Sequence, residues 1–457
     1  MKIRRLFIAN RGEIALRVIR SAQRLGIETI LGASDADLDS VPARLADHCV
    51  RIGAAPAARS YLDLGAVIGA ARAVAADALH PGYGFLSENA ALARACQAAG
   101  IVFVGPDPAT LEAVGDKLRA RTHAVAAGVP VVPGASVATL AECEQQVDAL
   151  GWPILIKAVG GGGGRGLRRV DAAAQLATAL AGAISEANGA FGDPRVYLER
   201  YVSGGRHVEV QLLGDGSDVI HLGTRDCSVQ RRYQKLIEEA PAPGLSASLA
   251  QRMTDAAVVL GRRLRYRGAG TVEFLLDSER DEFYFLEVNA RIQVEHPVTE
   301  MTTGVDLIAE QLAIAAGSPL RFAPGELALR GHAIECRINA EDIEHGLRPS
   351  PGRIRRALFP AGQGVRVDTH IEAGAAVPPF YDSLLAKIIV HAGDRASAID
   401  RMAAALADCH ITGVAVNTAL HARILADQGF RHGMVDTGYL QQLLAATAPL
   451  SARSASG

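Results

Sequence analysis

Two carboxylates and an amide occupy matching positions on a pair of strand-like segments. The runs 270–276 and 283–289 are joined by a short polar link, a pattern typical of a β-hairpin. Such a hairpin places Glu273 within about one residue of the position opposite Glu287, and Asn289 shares a face with Glu287 because side chains alternate along a strand. Carboxylate and amide oxygens suit Mg²⁺. The alternative is that both glutamates face solvent.

A glycine-rich segment is the second feature with chemical potential. Residues 160–166 include six glycines among seven positions, and strand-like runs at 153–158 and 167–170 flank them. Glycine lets backbone N–H groups approach an anion closely. The segment lacks the Gly-Lys-Ser/Thr ending of a P-loop. We therefore expect a mobile lid over phosphates, with Lys157 just before it; a flexible hairpin tip is the alternative.

A cation, an amide and a carboxylate alternate after the hairpin. If the chain remains extended there, Arg291, Gln293 and Glu295 lie on one face. Such a trio could bind and deprotonate a small oxyanion. A salt-bridged surface strand is the alternative.

A donor-rich run, 225–235, precedes these segments and ends at Lys235. Its charge suits a phosphate or a carboxylate, and a solvated basic loop is the alternative.

Lysine is scarce in this chain. Of the 47 basic residues 42 are arginine, and the five lysines are Lys2, Lys117, Lys157, Lys235 and Lys387. A GC-rich coding bias would explain the ratio. Because arginine serves elsewhere, internal lysines are candidates for sites that need a compact ammonium with three donors. The sequence suggests no role for Lys387.

Composition excludes several classes of protein. With 457 residues, 49% of them hydrophobic, and a net charge of −2, the chain is a globular protein of about three domains with no charge signature of a nucleic-acid or membrane-surface protein. No apolar run reaches the roughly 18 residues of a membrane span. Six scattered cysteines without a Cys-x-x-Cys pair indicate reduced thiols, so we expect a cytoplasmic location.

The elements that must position these residues follow from hydrophobic periodicity. Strand-like runs at 6–9, 27–31 and 101–104 alternate with helical segments, which predicts a doubly wound parallel sheet. The later chain predicts α+β units, so the fold class is a multidomain combination of α/β and α+β. The expected limits are 1–113, 114–325 with a lid at about 131–202, 330–442, and a flexible tail at 445–457.

Taken together, these segments resemble biotin carboxylase, the ATP-grasp component of biotin-dependent carboxylases. The resemblance covers nearly the whole chain and is carried by the runs 8–15, 80–89, 160–166, 230–235 and 289–300. It implies a Rossmann-like N-terminal domain, an ATP-grasp domain with a glycine-rich lid, and a C-terminal biotin carboxylase domain.

The resemblance also implies roles for individual residues. The ATP-binding positions would be Lys117, Lys157, Gly162, Gly163, Gly164, Glu199, Arg200, Tyr201, Val202, His207, Gln230 and Tyr233. Mg²⁺ or Mn²⁺ would be held by Glu273, Glu287 and Asn289. Bicarbonate would be bound by Lys235, Arg291, Gln293 and the backbone of Val294. Glu295 would be the general base, and Arg337 would steady the biotin enolate. Tyr233 departs from the family pattern of a histidine or a small polar residue at this position.

The implied reaction is ATP- and bicarbonate-dependent carboxylation of biotin through carboxyphosphate. The sequence contains no Ala-Met-Lys-Met attachment motif, so we expect biotin on a separate carrier protein, a carboxyltransferase partner, and a homodimer. No motif identifies the acyl acceptor. We expect acetyl-CoA as the acceptor, and therefore a role in fatty acid biosynthesis. The alternatives are another ATP-grasp ligase that forms an acyl-phosphate, and a nucleotide-binding scaffold without turnover.

Overall fold

The computed structural model describes residues 2–160 and 166–446. The N-terminal elements are β1 (Arg5–Ile8), α1 (Gly12–Arg24), β2 (Glu28–Ser34), α2 (Val41–Leu45), β3 (His48–Gly53), α3 (Leu64–Ala73), β4 (Ala78–His80), α4 (Ala90–Ala98), β5 (Val102–Phe103) and α5 (Pro108–Gly115). The strands form a parallel sheet in the order β3-β2-β1-β4-β5. Leu6 and Ile8 pack in one core, whereas Phe7 between them packs in another. Both faces of the sheet are therefore covered, and the predicted doubly wound sheet is confirmed.

The next elements form a smaller unit with its own core. They are β6 (Gly134–Val137), α7 (Leu140–Leu150), β7 (Ile154–Ala158), β8 (Leu167–Val170), α8 (Ala173–Phe191) and β9 (Val196–Arg200). The preceding helix α6 (Lys117–Ala126) packs instead in the core of the group of strands that follows. The strands pair in the order β6-β9-β7-β8, and every pair is antiparallel. We call this four-stranded sheet with α7 and α8 the lid unit. The predicted strands on either side of the glycine run are present and paired, while Gly162, Gly163 and Gly164 lie outside the described residues.

The third group supplies the strands that carry most of the candidate site. It consists of β10 (Arg206–Asp215), β11 (Val219–Arg231), β12 (Gln234–Ala240), α9 (Ala247–Arg263), β13 (Arg267–Asp277), β14 (Glu282–Asn289), α10 (His296–Thr303) and α11 (Leu307–Ala315). The predicted hairpin is confirmed, and Glu273 is directly opposite Glu287. The donor-rich run is not a solvated loop. It is β11 and β12 joined by a turn at Arg232 and Tyr233.

The C-terminal elements complete the structure. They are β15 (His332–Asn339), β16 (Glu341–Asp342), β17 (Arg348–Pro349), β18 (Gly352–Arg353), β19 (Arg356–Leu358), β20 (Val365–Thr369), β21 (Ala376–Val377), β22 (Leu384–Ala392), α12 (Arg395–Ala407), β23 (His410–Thr412), α13 (Thr418–Ala426), α14 (Gln428–Arg431) and α15 (Tyr439–Ala446). Helix α12 packs on β15 and β22 through Ala398, Ile399 and Met402. In the part of the chain described here, no helix is long and apolar enough to cross a bilayer.

One eight-stranded sheet crosses the predicted boundary near residue 330. Its order is β14-β13-β10-β11-β12-β15-β22-β20, and β12 pairs with β15 from Ile237↔Cys336 to Ala240↔Ala333. Sequence composition signals a linker at 317–325 but carries no information on which strands pair across it. The domain limits stay a prediction. The predicted domains 114–325 and 330–442 share this one continuous sheet.

The extended conformation expected for 291–295 is wrong. After β14 the chain turns and enters α10, with Glu295 at the helix N-cap and Pro297 in the first turn. Proline is favoured at that position because its missing N–H has no intrahelical partner there. The polar alternation that suggested a strand is instead a turn whose side chains fold inward.

Candidate active site

The paired carboxylates on one face of the central sheet differ in exposure, Glu273 being buried and Glu287 half-buried. Glu273 is 5% exposed and Asn289 is 7% exposed, so the solvent-facing alternative is wrong for these residues. Asn289 Nδ2 donates to Glu273 Oε1 at 2.8 Å. Burial, together with the neighbouring Glu273, raises the pKa of Glu287. A divalent cation would offset the repulsion between the two carboxylates and the loss of hydration of Glu287. Two carboxylates with an amide are a donor set suited to Mg²⁺.

Lys235 is the positive centre of this face. Its Nζ lies 2.7 Å from Glu209 Oε2, 2.8 Å from Glu273 Oε1 and 2.7 Å from Glu295 Oε1. Burial alone would lower the pKa of Lys235, but Cys227 and the three carboxylates hold it well above the usual value. All three ammonium protons therefore have a carboxylate acceptor, an arrangement that a planar guanidinium cannot copy.

The turn 291–295 brings Arg291 and Gln293 into contact with each other, although the expected strand alternation is absent. Arg291 Nη1 donates to Gln293 Oε1 at 3.1 Å, and Arg291 Nη2 donates to Asn289 Oδ1 at 2.9 Å. Gln293 Nε2 donates to Glu273 Oε1 at 3.2 Å. An ion pair joins Arg291 Nε to Glu88 Oε2 at 3.1 Å. The surface-strand alternative is excluded because Gln293 is buried.

Glu295 lies between two cations. It is fully buried, with Oε1 facing Lys235 and Oε2 accepting from Arg337 Nη2 at 2.9 Å. Burial would raise the pKa of Glu295, but Lys235 and Arg337 hold it well below the usual range. Arg337 also pairs with Glu238. Glu295 is therefore ionised. Its strength as a base would rise if Lys235 and Arg337 turned part of their hydrogen bonding from Glu295 to another anion.

Two lysines from the lid side approach the same region. Lys157 on β7 pairs with Glu199 on β9, and its Nζ is 5.8 Å from the centre of the Tyr197 ring. Lys117 begins α6, and burial lowers its pKa while Glu287 opposes that effect. Glu199 also raises the pKa of Lys117, so both lysines share Glu199 as an acidic neighbour.

The segment 199–202 connects the lid unit to the central sheet. Tyr201 N donates to Pro153 O at 3.1 Å. Arg200 Nη2 donates to Tyr284 Oη at 2.7 Å, and Val202 packs on the same Tyr284. This segment is thus a structured junction with both lid and sheet contacts.

The remaining nucleotide candidates lie on β10, β11 and the turn after β11. His207 Nε2 is 3.0 Å from Glu273 Oε2, and Gln230 Nε2 donates to Cys227 O at 3.1 Å. Tyr233 is 52% exposed with φ +66°, a conformation uncommon for a tyrosine. Partial burial and the neighbouring Tyr201 raise the pKa of Tyr233. Tyr233 is therefore an exposed turn residue, unlike the buried residues around Lys235.

Sequence reasoning missed Glu209 and Arg225. Glu209 is fully buried, lies opposite Glu273 in the sheet, and accepts from Arg225 Nε at 2.5 Å. Arg225 also donates to Gln211 Oε1 at 2.7 Å. The available signal was the spacing of His207 and Glu209, two apart on a strand and therefore on one face.

A third missed residue is Lys387. It is fully buried on β22, and its Nζ donates to Val294 O at 2.8 Å and lies 3.1 Å from Glu13 Oε1. The scarcity of lysine had marked it, but nothing local connects residue 387 with residue 294.

Among the described residues, two buried groups have donor atoms within 4.8 Å of one another. They are His207 with Glu209 and Glu273, and Glu209 with Cys227 and Glu295. Both surround the ammonium described above and already share its positive charge. A metal ion therefore fits better beside Glu287, which is not one of the three carboxylates in contact with Lys235 and whose pKa burial raises.

Three family profiles match consecutive parts of the chain. They are "Biotin carboxylase, N-terminal domain" over residues 2–111, "Carbamoyl-phosphate synthase L chain, ATP binding domain" over 116–323, and "Biotin carboxylase C-terminal domain" over 335–442. A biotin carboxylase of Nostoc is 49% identical over 448 residues, covering 97% of this chain and 100% of the relative. The chloroplastic biotin carboxylase of Arabidopsis thaliana is 49% identical over 439 residues, covering 95% of this chain and 82% of the relative.

Solved structures agree with these sequence relatives. The biotin carboxylase domain dimer of Hydrogenobacter thermophilus 2-oxoglutarate carboxylase, in complex with MgADP, ADP and bicarbonate, has a TM-score of 0.93 at 42% identity, covering 97% of this chain and 98% of that one. A Campylobacter jejuni biotin carboxylase–β,γ-ATP complex has a TM-score of 0.94 at 42% identity, covering 96% and 99%. Sequence identity close to one half along the full length, on the same three-part fold, shows that this chain belongs to the biotin carboxylase family of ATP-dependent ligases.

Proposed function

We propose that this protein uses ATP and bicarbonate to carboxylate a ureido nitrogen of biotin carried by a separate protein. The observation that carries the proposal is the contact of Glu295 with both Lys235 and Arg337. A general base lies there between one cation suited to bicarbonate and another suited to the biotin enolate. Another acid as the ATP-grasp substrate is not favoured, because nothing in such a reaction calls for the second cation.

Bicarbonate capture is assigned to Lys235, Arg291, Gln293 and the Val294 backbone. Lys235 Nζ contacts three carboxylates in the structure. A bicarbonate anion would compete for that ammonium, and Glu295 would lose part of the hydrogen bonding that keeps its pKa low. Substrate binding therefore strengthens the base at the moment when a proton must be removed.

Phosphoryl transfer follows when a bicarbonate oxygen attacks the γ-phosphorus of ATP. The O–P bond forms, ADP leaves, and the bicarbonate proton passes to Glu295, giving carboxyphosphate. Lys117 and Lys157 would hold the phosphate oxygens, and the junction 199–202 would carry the adenine. Glu273, Glu287 and Asn289 would hold Mg²⁺ or Mn²⁺, which when bound neutralises charge on those oxygens.

Carboxyl transfer completes the reaction. Carboxyphosphate splits into CO₂ and phosphate, and the phosphate removes the proton from the ureido nitrogen of biotin. Arg337 Nη2, 2.9 Å from Glu295 Oε2, would stabilise the resulting enolate oxygen. The nitrogen then attacks CO₂ to form the C–N bond of carboxybiotin.

The partners of the enzyme belong to this proposal. Relatives named biotin carboxylase match nearly all of this chain, which supports a biotin carrier protein as its partner. A carboxyltransferase partner and a cytoplasmic location are further parts of the proposal. In Rhizobium etli pyruvate carboxylase the matching region is 40% of a longer chain. A homodimer is proposed from the dimeric Hydrogenobacter domain. The acyl acceptor proposed is acetyl-CoA, and recovery of the biotinylated partner and its associated transferase would identify it.

The test is steady-state ATP hydrolysis by the purified protein. Hydrolysis should depend on bicarbonate and rise when free biotin is added, with carboxybiotin formed from labelled bicarbonate. Turnover of another carboxylic acid without biotin would support the alternative ligase. ATP binding without any bicarbonate-dependent turnover would support a scaffold.

A further inference from the structure

We propose that Lys387 is a positioning residue that fixes the turn carrying the bicarbonate-binding groups and the general base. The inference rests on the proposed function, because it concerns the same site. Its basis is the hydrogen bond from Lys387 Nζ to the carbonyl of Val294, the residue immediately before Glu295. That bond fixes the plane of the peptide that leads into Glu295.

The sheet register explains why Lys387 acts on this turn. Lys387 on β22 is directly opposite Arg337 on β15, so the two side chains leave the same face of the sheet. Arg337 binds the carboxylate of Glu295, and Lys387 binds the carbonyl of Val294. Two neighbouring cations thus hold two neighbouring residues of one turn, one through a side chain and one through the backbone.

The charge of Lys387 is maintained from several directions. Glu13 of α1 lies 3.1 Å from its Nζ, and Asp368 of β20, its neighbour in the sheet on the other side, lies at 3.8 Å. Burial would lower the pKa of Lys387, but Glu13, Glu335 and Asp368 raise it above the usual value, while Arg366 opposes them. The ammonium therefore joins the N-terminal domain, the C-terminal sheet and the turn.

Position matters here because Glu295 must reach the proton of a bound bicarbonate. A displacement of about 1 Å in a reacting group can cost roughly 10²-fold in rate. Lys387 has no contact with ATP-binding candidates among its recorded partners in the described chain. Its removal should accordingly affect bicarbonate and spare the nucleotide.

The experiment compares Lys387→Met with Arg395→Met, which removes the ion pair between Arg395 at the start of α12 and the buried Glu239 of β12. For Lys387→Met we expect kcat/KM for bicarbonate to fall by about 10²-fold, while the Kd for ATP stays within about threefold. Arg395→Met should lower the Tm but leave KM for bicarbonate unchanged.

A second pair of variants protects the test against misfolding. Lys387→Met leaves Glu13 as an unpaired buried acid, so Glu13→Gln/Lys387→Met is compared with Glu13→Gln alone, which retains the bond to Val294. The double variant should show the bicarbonate defect, and Glu13→Gln should lack it.

Parallel changes in the bicarbonate and ATP constants, or equal defects in both members of this pair, would overturn the assignment of Lys387. Failure of the proposed function is distinguishable, because then the unaltered protein would itself show no bicarbonate-dependent turnover.

Discussion

Replacing Lys235 by arginine separates a requirement for charge from a requirement for shape. Arginine keeps the positive charge but spreads it over a planar fork. Lys235 Nζ makes three carboxylate contacts of 2.7 to 2.8 Å, with 12% of the side chain exposed, so a wider group cannot retain all three. A hydrogen bond to a charged group contributes about 1.5–3 kcal/mol, or roughly 10- to 100-fold in rate for each bond lost.

We therefore expect Lys235→Arg to reduce bicarbonate-dependent ATP hydrolysis by about 10²- to 10⁴-fold, the loss of two such bonds. The assay measures ATP turnover over a bicarbonate titration, with thermal unfolding to check the fold. The matched control is Arg206→Lys, which exchanges the cation of a buried pair with Asp226 on the same sheet outside the site. Its activity should remain within a few-fold of the parent, because the hydrogen bonds of Arg206 go to Asp226 and the Pro243 carbonyl and to none of the candidate site residues.

The reasoning is refuted if Lys235→Arg folds normally and turns over bicarbonate at a rate close to that of the control. In that case the charge alone would suffice, and the three-fold contact of the ammonium would be a structural feature only. A variant that fails to bind ATP would instead place Lys235 in the nucleotide site.

Three further predictions follow from the same ion network. Glu295→Gln should abolish bicarbonate-dependent turnover, by at least about 10²-fold, while equilibrium ATP binding persists; retained turnover would remove Glu295 as the base. Glu287→Gln should raise the Mg²⁺ concentration needed for half-maximal activity, measured by metal titration, and an unchanged requirement would place the ion elsewhere. Burial, opposed by Arg337, raises the pKa of Glu238 to about 7 from a usual 4.5. The native state then holds a proton that the unfolded chain has lost, so the free energy of unfolding should fall as pH rises from 4.5 to 7 through this group. Glu238→Gln should remove this fall, measured as the free energy of unfolding from denaturation series at several pH values. An unchanged slope of that free energy against pH would contradict the assignment.

Local features of this protein could be predicted from sequence because they depend on neighbours along the chain. The length of the hairpin link predicts that Glu273 and Glu287 lie about opposite each other, and in the structure they are direct partners in the strand register. Likewise, the strands on either side of the glycine run are present as β7 and β8. The segment 291–295 shows the limit of local pattern, since the same polar alternation fits an extended strand and the inward-folding turn that is observed.

What the tertiary structure decided is which distant residues meet. Lys235, Arg337 and Lys387 come from β12, β15 and β22, and their convergence on Glu295 and Val294 depends on strand order in a sheet that crosses the predicted domain boundary. The hydrophobic pattern of a strand predicts which of its faces is buried, but not which strand lies beside it. Strand order depends instead on how the faces of the complete sheet pack against other elements. The sequence by itself determined that internal lysines are rare and therefore worth examining. Only the sheet register decided that Lys387 is opposite Arg337 and can hold the peptide before the general base.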